Sequence, residues 1–359
     1  MAAPALSSDL PAAGRARRWR DRSPWLLGIG TVIALILLLL AGVGLGTVRI
    51  PPSETIGIIL SRTLGIETGA TWTPAAETIV WELRLPRVLT AMVVGAGLAL
   101  AGATFQGLLR NPLADPFVLG TASGAGLGAA IAILLTVGGT VFAIGLVQAL
   151  AFIGALVSAY VVFRLGGSGG PGGLTRLLLT GYAIGSILTA LLTMAMYVSG
   201  TELRQIFSFL LGGLGGASWP RLAVATPLIL LAGIGIARRT RTLDGMLLGD
   251  AAARHLGVDV KRERGILLAL ASLATAAGVA IAGLIGFVGL VVPHVVRLVT
   301  GPAARRVVPL SALVGAALLT AADLVARLVG DVPVGVVMAL IGAPFFLFLL
   351  IHTRSGYEL

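Results

Sequence analysis

The stretch "GLALAGATFQGLLRNP" occupies residues 97–112, and "GVAIAGLIGFVGLVVP" occupies residues 278–293. The two align without a gap. Both read G-x-A-x-A-G, with a leucine twelve residues after the first glycine and a proline fifteen after it. Small residues at this spacing let helices pack backbone to backbone in lipid, where hydrophobicity alone does not drive association. Working outward, the chain offers ten apolar runs: Trp25–Gly46, Val88–Leu109, Val118–Val137, Val141–Phe163, Leu177–Val198, Arg221–Ile236, Gly265–Ile285, Phe287–Thr300, Val307–Val329 and Pro333–His352. Runs of about 20 apolar residues are transmembrane helix candidates. The two copies lie five spans apart, in the second and seventh runs, so they enter from opposite sides, as in the inverted repeats of transporters.

The composition agrees. Of 359 residues, 57% are hydrophobic and 11% charged, and the mean hydropathy is +1.00. Residues 1–24 form a polar, arginine-rich tail. The run after them is too long for a signal-peptide core and reads as a retained first span. With five arginines ahead of that span, the positive-inside rule places the N-terminus in the cytoplasm, and the tenth span returns the C-terminus there. Nineteen of the 26 basic residues then fall on the cytoplasmic side. The net charge of +11 is thus a topology signal and not a nucleic-acid footprint.

Much chemistry is excluded. There is no cysteine, hence no disulfide or thiolate site. A single lysine, Lys261, forbids a G-x-x-x-x-G-K-[ST] phosphate loop, so this polypeptide does not hydrolyse ATP by itself. His255, His294 and His352 are dispersed; no metal or cofactor site is expected. Within the spans the notable charges are Asp323 and Arg327, four apart on one helical face. A proton relay would need more mid-membrane acids, which disfavours ion-coupled secondary transport, the main alternative.

Three connections exceed bare turns. The external loop Thr47–Arg87 ends in "WELRLPRV" (81–88), with Arg84 and Arg87 where basic residues are normally thinned out. Tyr197–Pro220 reads as an external amphipathic segment. Ala237–Arg264 is cytoplasmic, and within it Met246–Leu256 suits a short helix with Asp244 as N-cap, Asp250 early, where an acid favours the dipole, and Gly257 as stop. "GGSGGPGG" (166–173) is a flexible linker.

"RLPRVLTAMVVGAGLALAGATFQGLLRNPLADPFVLGTASGAGLGA" (84–129), "GLIGFVGLVVPHVVRLVTG" (283–301) and "PVGVVMALIGAPFFLFLL" (333–350) closely resemble the permease subunits of type II ABC importers for iron-siderophores, haem and cobalamin. The resemblance implies an all-α, ten-helix permease domain over residues 25–359, paired with a second copy of itself. Two ATP-binding subunits are expected inside, and a substrate-binding protein outside. It gives Arg84, Arg87 and Arg327 a role in docking the binding protein, with lipid anchoring as the plainer alternative. It gives residues 245–257, through Gly249, Asp250, Ala252, Ala253, Leu256 and Gly257, the role of coupling helices against the ATPase. It makes the fifth span the pathway-lining helix, with Thr180, Tyr182, Ser186 and Thr189 along it and a gate at Leu174 and Thr175. The expected setting is a bacterial or archaeal cytoplasmic membrane and the expected cargo a metal chelate, a ferric siderophore first, haem or cobalamin as alternatives.

Overall fold

In the computed structural model the described residues are 12–46, 48–66, 71–135, 142–167 and 173–352. Among them there is no strand. The helices are α1 (Ala12–Gly44), α2 (Pro52–Leu64), α3 (Pro74–Thr78), α4 (Leu85–Leu109), α5 (Thr121–Leu135), α6 (Phe142–Gly166), α7 (Gly173–Val198), α8 (Leu203–Leu211), α9 (Trp219–Ala237), α10 (Thr240–Leu247), α11 (Asp250–His255), α12 (Val260–Ala282), α13 (Val288–Thr300), α14 (Ala304–Leu328) and α15 (Val334–His352). Each of the ten expected spans has its helix: α1, α4–α7, α9 and α12–α15. Among the described residues, seven helical stretches are long and apolar enough to cross a membrane, and α5, α13 and α15 contribute shorter apolar stretches.

The second span begins earlier than its hydropathy suggested. α3, a π-helical turn (Ile79–Arg84) and α4 run on as one 36-residue helical rod from Pro74. Pro86 would clash with the carbonyl four residues back in a regular helix, and the wider π turn just before it relieves that clash. Arg84 and Arg87 are therefore held on a rigid helix.

α4 and α12 are the most deeply buried spans and form the centre. α4 packs along α14, and α12 along α6 and α9. Glycines set these crossings. A methyl group on Gly95 would overlap the carbonyl of Gly315, and one on Gly102 that of Gly289. Pro293, inside α13, cannot donate to the carbonyl of Gly289, so that oxygen is left over. The buried Gln106 of α4 supplies the missing donor, its Nε2 lying 3.2 Å from Gly289 O and 3.1 Å from Leu290 O.

The repeat exists at the level of elements, with a different register from the gap-free alignment. α4–α5–α6–α7 and α12–α13–α14–α15 share the order long, short, long, long, and α4 packs on α14 as α12 packs on α6. Past the sixth aligned residue the copies part. The first stays helical to Leu109, whereas the second breaks between Gly283 (φ +70°) and Phe287 (φ +68°).

Candidate functional site

Three polar regions stand out, one at each end of the bundle and one along α7. At the first end, Arg84, Arg87 and Arg327 converge with Asp323 and Asp331. Arg84 is 7% exposed. Its Nη1 donates to Val43 O (2.9 Å) and Gly44 O (3.0 Å), and its Nη2 to Val48 O. Arg327 Nη1 donates to Gly42 O at 2.8 Å. Two arginines thus cap α1, whose last carbonyls lack helical partners and carry the negative end of the helix dipole. α1 has no basic residue of its own in its last turn. Arg84, expected among the docking arginines, is thus turned inward to the carbonyl row at the end of α1.

Arg87 differs. Its Nε donates to Asp323 Oδ1 at 2.9 Å and its Nη2 to Asp331 Oδ1 at 2.7 Å. The Asp323 side chain is fully buried, whereas that of Asp331 is 65% exposed. Arg327 Nε lies 3.1 Å from Asp323 Oδ2, close but misaligned for a hydrogen bond. Asp323 is therefore the shared anchor of two arginines.

At the opposite end, residues 245–257 do not form one helix. α10 ends at Leu247 and α11 starts at Asp250, with Gly249 (φ +110°) at the elbow, a backbone state that disfavours other residues. Asp244 does not cap this segment either. It lies within α10, and its Oδ1 accepts the N–H of Ala304, capping α14 instead. Gly257 (φ +81°) does end α11, its N–H reaching Arg254 O while that of Val258 reaches Ala253 O. The Asp250 carboxylate accepts from Arg264 Nη2 at 2.9 Å to each oxygen and also pairs with Arg110. Partial burial pushes this carboxyl up, but Arg264 and Arg110 outweigh it and hold it below the ordinary carboxylate range. Arg110 Nε also donates to Met246 O at 2.9 Å. The elbow is tied to α4 and α12, which leaves Leu248 (72% exposed), Leu256 (66%), Ala251 and His255 facing outward. Ala252 is half-buried and Ala253 is buried.

Along α7, Tyr182, Ser186, Thr189 and Thr193 recur at one-turn spacing and line an open cavity of about 660 Å³ with Ser123 and Val118. The cavity's floor is the 3-10 turn Pro116–Leu119, approached closely at Gly181. Ser123 Oγ and Thr189 Oγ1 lie 3.0 Å apart. Tyr182 is 78% exposed. Thr175 is exposed, and Thr180 is half-buried outside the cavity lining. The side chain of Leu174 and most of the glycine-rich linker lie outside the described residues. Among the described residues no cluster of His, Asp and Glu could hold a metal ion.

Sequence reading missed Gln106, Arg110, Asp331 and the double duty of Asp323. Arg110 and Asp250 are 140 positions apart, and Arg87 and Asp331 are 244 apart. Only the shared presence of a charge near a span end hinted at them.

Residues 34–352 match the FecCD transport family. The chain is 46% identical over 276 residues to a cobalamin import system permease protein of Halobacterium salinarum, covering 77% of this chain and 74% of that one. It is 39% identical over 307 residues to a vitamin B12 import system permease protein of Escherichia coli, covering 83% and 92%. A solved structure described as an inward-facing conformation of a metal-chelate type ABC transporter superposes with a TM-score of 0.78 at 29% identity, covering 92% of this chain and 99% of that one. Ten apolar helices, no phosphate loop and these likenesses agree: the chain belongs to the FecCD transport family, as the transmembrane permease subunit of an ABC importer whose ATPase is a separate subunit.

Proposed function

We propose that this permease imports a cobalamin-class metal chelate. The observation that carries this is the similarity to permeases named for cobalamin and vitamin B12, and it displaces the ferric siderophore as first choice. The α7 face is compatible with such a cargo. It offers hydroxyls and aromatic edges but no charge, so a bulky ligand meets weak contacts and is not trapped. Two copies would face each other across α7, so that the hydroxyl faces border one pathway. The Arg87 end lies outside and receives an acidic lobe of a binding protein; the Asp250 end lies in the cytoplasm. There Leu248 and Leu256 would enter a cleft on the ATPase, around an elbow held by Asp250 and shaped by Gly249, Ala252, Ala253 and Gly257.

The test is uptake by cells lacking their own cobalamin permease and supplied with this chain, its ATPase and its binding protein. Labelled cobalamin should accumulate, and ferric siderophore or haem should not. Uptake of either of those without cobalamin would overturn the assignment. The coupling contact is tested by Leu256→Asp, which should abolish co-purification with the ATPase while the permease stays folded, because an apolar anchor is replaced by a charge in a buried contact. Wild-type co-purification would refute it.

A further inference from the structure

Arg87 makes two ion pairs of opposite character. Its Nε is held by Asp323, a wholly buried carboxylate on α14. Its outward Nη2 is held by Asp331, exposed in the turn between α14 and α15. That turn is unusual. Gly330 has φ +116°, and Asp331 follows at φ +57°, a left-handed conformation that few residues other than glycine, asparagine and aspartate adopt readily. The backbone thus aims an exposed carboxylate at the Nη2 edge of Arg87, whose side chain is 14% exposed.

From this geometry we infer that Asp331 is a displaceable, built-in stand-in for the carboxylate of the docking protein. The inference rests on the docking role proposed for Arg87. An exposed pair of this kind is weak because water and salt screen it, so it yields easily. The buried Asp323 does not yield, and it keeps the guanidinium oriented while its outer edge exchanges partners. A guanidinium suits such an exchange, since its planar fork presents separate edges to two carboxylates. The stand-in also discriminates. The five-membered cluster carries three positive and two negative charges, a net +1. A partner with a lone, poorly placed acid gains nothing over Asp331, whereas a well-placed carboxylate replaces it and sends it to solvent.

The test compares Asp331→Asn with Arg87→Gln in the detergent-purified permease–ATPase complex. Asparagine tolerates the left-handed backbone, so the first change removes charge and leaves the turn intact. The probe is the cognate binding protein of this permease, immobilised, with association followed at low and high salt. Asp331→Asn should associate several-fold faster at low salt, and the gain should shrink at high salt, because rim charges act mainly on association. Phenylglyoxal, which modifies accessible guanidinium groups, should label Arg87 more in this variant than in wild type, while Arg84 stays protected in both. Arg87→Gln should associate more slowly. If it does so while Asp331→Asn matches wild type in rate and labelling, the stand-in is overturned and docking survives. If Arg87→Gln also associates like wild type, the docking role itself fails and the inference falls with it.

Discussion

Helices α1 and α7 are equally bare, with 17% of the most apolar stretch buried in each. What they expose differs. α1 turns outward Trp25, Leu26, Ile29, Val32, Ile33, Ile36, Leu37 and Leu40, all apolar. Thr31, a hydroxyl among its described residues, faces inward and donates to Leu27 O at 2.7 Å. α7 turns outward Tyr182, Ser186, Thr189, Thr193 and Tyr197 among its leucines. Ser186 and Thr193 bond back to carbonyls of their own helix, which lowers the cost of meeting lipid, but no such bond accounts for Tyr182. Equal exposure therefore has two meanings. One face is uniformly apolar, as lipid contact requires, and the other carries hydroxyls, as the proposed pathway requires.

The sharpest way to break this comparison is to add bulk to one glycine in each helix. A side chain at Gly181 would overlap the carbonyl of Val118, whereas Gly30 has open space around it. Gly181→Leu should destabilise the permease by about 1–3 kcal/mol or more. Gly30→Leu should stay within about 0.5 kcal/mol. Thermal unfolding of the two variants in one detergent checks this; equal melting temperatures would mean that α7 is as loosely held as α1.

Second in size is solvent access. The chain has no cysteine, so single cysteines can be placed cleanly. Those at 182, 186 and 189 should react with a membrane-impermeant thiol reagent in proteoliposomes, and those at 29, 33 and 36 should not. Uniform protection on both helices would make α7 a lipid-facing span and remove the pathway.

The smallest effect sharpens the comparison from beneath α7. Asp115 N-caps the turn Pro116–Leu119 on which α7 rests, its Oδ1 accepting the Phe117 N–H at 2.8 Å. Burial pushes its carboxyl from 3.8 up to about 6, with the Phe117 bond acting against that rise. The folded state holds this proton more tightly than the unfolded one, so stability falls as pH rises from about 4 to about 6 and stays lower above. Asp115→Asn keeps the cap and removes the charge. It should melt a few degrees above wild type at pH 7.5 and level with it near pH 4. No pH dependence in the difference would show that Asp115 is solvated.

The local features were legible in the residues. Ten apolar runs became ten helices, the Tyr197–Pro220 connection became the amphipathic α8, and Gly257 ended α11. The π turn before Pro86 and the elbow at Gly249 escaped, because hydropathy periodicity does not register a single widened or broken turn. Sequence proximity makes Asp244 the cap of the helix next to it, yet it caps a helix 60 positions away. A side chain bonds whichever unpaired group is near in space, and sequence proximity supplies only some of those groups.

By itself the sequence determined the solvent, the number of crossings, the absence of an ATP site and the helices that carry polar residues. These follow from residue chemistry averaged over a turn or a span, which no tertiary contact can reverse. Only the tertiary structure decided that Arg84 caps α1 while Arg87 pairs with one buried and one exposed carboxylate, and that Asp323 serves two arginines. It alone also decided that α7 shows hydroxyls outward while Thr31 of α1 faces inward. In a membrane every buried charge must find a partner across the bundle. That partner is chosen by which helices meet, and glycine contacts such as Gly95 with Gly315 and Gly102 with Gly289 set where they do.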